Sequence, residues 1–141
     1  MRKKLFLIAI AGLTCLSAVS QDAARKKYFN INKSSLAIQG YDPVAYIKNN
    51  KAVKGKKDIT ATHQGVTYNF STIENKDAFI KDPAAYEPQY GGWCAYAMGK
   101  NGEKVNIDPE TFKIINGKLY LFYNRFFNNT LTSWNKDEAN L

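Results

Sequence analysis

The chain is poor in the residues that build metal centres and active sites. Its 141 residues include only two cysteines and one histidine. Two cysteines exclude a disulfide-dense scaffold and a four-cysteine zinc site. One histidine excludes a three-histidine zinc centre and a two-histidine iron site. There is no Cys-x-x-Cys for thioredoxin-type redox work. Gly-x-Ser-x-Gly, a phosphate loop and His-Glu-x-x-His are also missing. The apolar stretch Leu5 to Val19 spans 15 residues, short of the roughly 20 that a membrane-crossing helix needs.

What is present points to one folded, exported domain. The chain is 45% hydrophobic and 13% aromatic, too apolar for a disordered segment, and its length suits a single domain. The basic start Met1-Arg2-Lys3-Lys4, the short apolar run and the small residues Ala18 and Ser20 read as a secretory signal peptide over residues 1–20. Cleavage near Ser20 would send the protein to the periplasm or outside the cell, with no transmembrane segment left. It would leave 17 basic against 12 acidic side chains, a net charge of +5, and Cys94 as the sole thiol, unable to form an internal disulfide. Lys48, Lys51, Lys54, Lys56 and Lys57 form a basic knot. It reads as a solvated hairpin that offers contact to an anionic surface rather than to nucleic acid.

Local signals divide the mature chain. Residues 21–36 are polar and read as a loose leader, and residues 37–141 as the domain. Asp42-Pro43 starts a helix through Ile47, with Asp as N-cap and Pro at the first helical position. Ala52-Val53 and Ile59 to His63 have strand character, Gln64-Gly65 is a turn, and Val66 to Phe70 alternates as a strand. Ser71-Thr72-Ile73-Glu74 reads as a capping box with Ser71 at the N-cap. It predicts a helix from Thr72 to about Lys81 that buries Ile73, Phe79 and Ile80. Asp82-Pro83 begins another helical turn, and Asp108-Pro109 repeats the helix-start signal. Thr111–Ile115 and Lys118–Tyr123 read as strands joined by Asn116-Gly117, a strong hairpin turn. Arg125 to Glu138 reads as an amphipathic helix with Phe126, Phe127, Leu131 and Trp134 on its apolar side. A Gly-x-x-Tyr-x-Phe pattern at Gly65–Phe70 recurs at Gly117–Phe122. The expected fold is α+β: a small single domain of antiparallel β-hairpins with short helices on one face.

Three segments carry a family resemblance: Gln39-Gly40-Tyr41-Asp42-Pro43-Val44-Ala45-Tyr46, Gly65 to Ser71, and Gln89-Tyr90-Gly91-Gly92-Trp93-Cys94-Ala95-Tyr96-Ala97. Over roughly residues 37–136 the sequence resembles the YHS-domain family, in its exported stand-alone branch. The resemblance implies a small α+β, treble-clef-like fold and a place in copper or heavy-metal handling. The chain departs from the metal-binding members where they carry cysteines: the position just after the Asp-Pro-Val stretch is Ala45 here, and the nearest positions to the two around the strand-to-helix turn are Ser71 and Asn75.

Cys94 is the first candidate site residue. A thiolate ligand for Cu(I) suits soft sulfur donors. Met98, four residues on, would share a helical face with it, and His63 could complete the set. The competing reading is a buried small hydrophobe beside a core-filling methionine. A thiol hydrolase built from Cys94, His63 and Asp58 or Asp108 has the residue types but no recognised signature. Among the aromatics, Tyr68, Phe70, Tyr120 and Phe122 read as core, and Trp93 as a surface or pocket residue. These features favour an exported non-enzymatic binding module that handles copper through a single thiol. The alternative is a metal-free structural or interaction domain, its partner an exported protein, with Cys94 in the core.

Overall fold

The structure, a computed structural model, describes residues 19–141. The expected signal peptide lies outside the described residues apart from Val19 and Ser20. Helix α1 covers 19–28 within the described part. There follow α2 (Pro43–Asn49), β1 (Lys56–His63), β2 (Val66–Phe70), α3 (Ile73–Lys81), α4 (Pro83–Tyr86), α5 (Ala95–Asn101), β3 (Asp108–Ile115), β4 (Lys118–Phe122), β5 (Asn124–Arg125), β6 (Asn128–Asn129) and α6 (Thr130–Asp137). The strands pair as three antiparallel hairpins, so the chain is an α+β single domain. The main core gathers Val44 and Tyr46 from α2, Val66, Tyr68 and Phe70 from β2, Phe79 from α3, and Leu119 and Leu121 from β4.

Local chemistry accounts for several elements. Asp42 caps α2 by accepting from the Val44 and Ala45 amides, with Pro43 at the first helical position. Gln64-Gly65 and Asn116-Gly117 all have positive φ, the conformation that the twist of a two-residue hairpin requires.

The recurring Gly-x-x-Tyr-x-Phe pattern belongs to a larger structural repeat with an offset of 52 residues (Gly65 to Gly117). In β1–β2, Lys56 pairs with Phe70 and His63 with Val66, with an irregularity between Lys56 and Thr60. In β3–β4, Asp108 pairs with Phe122 and Ile115 with Lys118, with the irregularity between Asp108 and Phe112. Every one of these positions is displaced by the same offset. It also relates α2 to α5 and Gly40 (φ 82°) to Gly92 (φ 83°). Each second strand packs an aromatic pair on the helix that follows. Tyr68 and Phe70 lie 4.7 and 5.2 Å from Phe79, and Tyr120 and Phe122 lie 5.6 and 5.5 Å from Trp134. The correspondence breaks after β4: the small β5–β6 hairpin sits between β4 and α6, where the first half runs directly from β2 into α3.

Several local expectations give way to tertiary partners. The helix expected from Arg125 begins only at Thr130, because Asn129 caps it by accepting from the Leu131 amide at 3.0 Å. Phe126 and Phe127 are therefore not on a buried helix face. They form the exposed tip of the β5–β6 hairpin, both with positive φ, a conformation that costs roughly 1–2 kcal/mol per residue. Asp108-Pro109 starts a strand, not a helix. Asp108 accepts from the Glu110 amide and the Thr111 hydroxyl, and the Tyr46 hydroxyl reaches the Pro109 carbonyl at 2.7 Å. Thr72, not Ser71, caps α3, because Ser71 is engaged elsewhere. Ile73 and Ile80 face solvent, leaving Phe79 as the buried residue of α3. Ala52 and Val53 lie outside the strands, which begin at Lys56.

The leader is docked rather than loose. Arg25 on α1 pairs with Glu87 and donates to Gln64, and its guanidinium lies 4.3 Å from the Phe29 ring centre. Further on, the Asn30 amide donates to the Gly91 carbonyl at 2.9 Å. A side chain at Gly91 would meet the Tyr28 carbonyl oxygen at 2.8 Å, and φ there is +63°, so glycine is what lets the leader cross this loop.

Candidate functional site

Cys94 is the N-cap residue of α5 and its side chain is fully buried. Its sulfur accepts from the Tyr123 amide at 3.4 Å and lies 3.3 Å from the Thr130 hydroxyl oxygen. Thr130 spends its one hydroxyl proton on the Tyr123 carbonyl at 2.9 Å. A hydroxyl has a single proton to give, so the thiol donates to Thr130. The result is a closed ring: amide to sulfur, thiol to hydroxyl, hydroxyl to carbonyl. It clamps the start of α5 to the end of β4 and the start of α6.

Asp42 occupies the equivalent place in the first half, and it too is fully buried. The Asp42 amide donates to the Val53 carbonyl, and the Cys94 amide to that of Val105, each at 2.9 Å. Where Cys94 receives the Tyr123 amide, Asp42 receives the Ser71 amide at 2.8 Å. Its Oδ2 also accepts from the Ser71 hydroxyl at 2.6 Å and from Asn75 Nδ2 at 2.7 Å. Ser71 and Asn75 thus converge on one carboxyl group.

The other proposed metal ligands stand differently. Met98 is joined to Cys94 through the backbone of α5, its amide donating to the Cys94 carbonyl at 3.0 Å. Cys94 forms part of a hollow with Tyr96, Lys100, Glu103, Tyr123 and Thr130, and neither Met98 nor His63 lines it. His63 ends β1, with its ring edge-on to Phe79 at 6.4 Å. Among the described residues, no group of three or more His, Cys, Asp or Glu side chains is placed to hold a metal ion. The acid proposed for a hydrolase does not orient the histidine either: Asp108 shapes the start of β3, and Asp58 is exposed on β1. Trp93 is half-buried under the leader, its indole N–H donating to the Tyr28 carbonyl at 2.7 Å.

Two tyrosines are bound into the interior. Tyr68 donates to Glu87 at 2.8 Å, beside Arg25. Burial, reinforced by the Glu87 charge, pushes its hydroxyl far above the usual tyrosine range. Burial does the same to Tyr46.

A second hollow, of about 510 Å³, opens on another face. Asn30, Asn32, Gln39 and Asn106 contribute amides to it, and Lys54 and Arg125 bring two cations. No carboxylate lines it. Its wall includes Ile38 and Gln39, both with positive φ. Such a conformation is a genuine outlier for a β-branched residue. The Lys54 ammonium is held 2.8 Å from the Gln39 carbonyl and 4.7 Å from the Tyr41 ring centre.

Sequence reading treated Asp42 as a cap only and missed its role as a hub. The repeat offset was the available signal, since it aligns Asp42 with Cys94 and Ser71 with Tyr123. The exposure of Phe126 and Phe127 had no such signal, because their apolar spacing fits a helix. Among the described residues, no helix is long and apolar enough to cross a membrane. Compared with known proteins, the chain matches no family model, no curated protein and no solved structure.

Proposed function

We propose that the chain is an exported, non-enzymatic binding module of the YHS type in which Cys94 belongs to the scaffold and no metal is held. The observation that carries this reading is the equivalence of Cys94 and Asp42. The same place in each half holds one buried side chain that ties a helix start to the strand end. In one half oxygen does this, and in the other a thiol whose proton already has an acceptor. A copper site built from Cys94, Met98 and His63 would require the thiol to lose that proton and with it its donation to Thr130.

Metal content tests the reading. The purified protein is offered Cu(I), Zn(II) or no metal under anaerobic conditions and analysed by mass spectrometry. The expected result is no stoichiometric metal, together with a Cys94 thiol that reacts with reagent only on unfolding. One copper per chain, lost in Cys94→Ser while the fold survives, would overturn the reading and restore the copper-handling role.

A further inference from the structure

We propose that the β5–β6 hairpin docks the protein onto an anionic phospholipid surface, with Phe126 and Phe127 entering the interface and Arg125 and Lys54 meeting the headgroup phosphates. This rests on the reading of the chain as an exported binding module and names its partner; it does not depend on the role of Cys94.

Four observations converge. The hairpin is an insertion relative to the first half, which runs directly from β2 into α3; its base carries Asn129, the cap of α6, while its two-residue tip lies outside the repeated scaffold. Its tip presents two adjacent phenylalanines at 88% and 112% exposure. Both sit at positive φ, in a turn where Asn-Gly would be at ease. Arg125, at the base of the tip, shares with Lys54 a hollow that has no carboxylate in its lining. On the other flank, Asn128 borders a hollow with one cation and one acid, Lys100 and Glu103.

Size and charge select the occupant. Two phenylalanines offer about 300–500 Å² of surface, well short of the roughly 800 Å² that each partner contributes to a stable protein interface. A second copy would bring the same cations against these. Two aromatic side chains beside cations do suit shallow insertion at a charged lipid interface, where apolar burial and electrostatic attraction act together.

The test is co-sedimentation of the purified protein with phosphatidylcholine vesicles, with and without phosphatidylglycerol. Binding is expected only with phosphatidylglycerol and is expected to weaken as salt rises. F126N/F127G fits the turn better, so it should keep or raise the melting temperature while weakening vesicle binding by at least roughly tenfold. R125Q should weaken it roughly fivefold. In F127W, indole emission should shift to the blue on adding the anionic vesicles. Absence of binding to anionic vesicles, equal binding by F126N/F127G, or concentration-dependent dimers abolished by F126N/F127G would overturn the proposal, the last in favour of a second copy. None of these outcomes bears on metal content, so this proposal and the metal-free reading can fail separately.

Discussion

Asp42 accepts from the Val44 and Ala45 amides on one oxygen, and from the Ser71 amide, the Ser71 hydroxyl and Asn75 on the other. All five groups are donors, so an acceptor-only side chain suits the place. Asp42→Ala removes a helix cap, worth about 1 kcal/mol, and strands donors in the interior at about 1–3 kcal/mol. We expect it to lower unfolding free energy by roughly 3 kcal/mol in urea titration. Asp42→Asn should recover only part of this, because its amide nitrogen would face donors on one side. A loss below that of an ordinary surface substitution would show that the hub contributes little. The cap was legible in Asp42-Pro43. The three donors on the second oxygen were not, because they come from residues 29 and 33 positions away.

Helices and strands were legible where their signals are local. The Asn-Gly and Gln-Gly turns, the Asp-Pro start of α2 and the alternation in β2 are settled by backbone sterics and neighbouring amides. The leader was not, because residues 19–28 carry no strong local signal and owe their place to Arg25, Asn30 and Gly91. Gly91→Ala tests that docking. It places a methyl 2.8 Å from the Tyr28 carbonyl oxygen and forces a side chain into left-handed backbone. We expect a loss of roughly 1–3 kcal/mol and faster proteolysis within residues 19–30, read by limited digestion and mass spectrometry. Unchanged protection of the leader would mean that it is held independently of this crossing.

Across the whole molecule, two bulged hairpins share one core, and tyrosine hydroxyls stitch the pieces together. Tyr46 joins α2 to the start of β3, and Tyr68 joins β2 to Glu87 and, through it, to α1. Burial raises both above the ordinary value of 10.0. A group whose ionisation is resisted more in the folded state stabilises the fold below its unfolded value and loses that contribution as pH rises further. Stability should therefore fall above about pH 10. Of the nine tyrosines, two should stay un-ionised until the chain unfolds, as read by tyrosinate absorbance beside circular dichroism. Tyr46→Phe should remove part of the alkaline sensitivity. Full ionisation of all nine before unfolding would contradict the buried network.

The α+β class, the two long hairpins, the caps of α2 and the aromatic pairs of β2 and β4 follow from short-range preferences that any unfolded segment already carries. The same dipeptide shows where such preferences stop. Asp42-Pro43 opens a helix because the Val44 and Ala45 amides have only Asp42 to cap them. Asp108-Pro109 opens a strand because Phe122 pairs with Asp108 and the Tyr46 hydroxyl takes the Pro109 carbonyl. Cys94 is scaffold for the same kind of reason. Tyr123 and Thr130, 29 and 36 residues along the chain, close its ring of hydrogen bonds. Phe126 and Phe127 reach solvent because Asn129 and Thr130 start α6 after them. Partners brought together by folding compete with local propensity, and at these positions their hydrogen bonds and packing outweigh it.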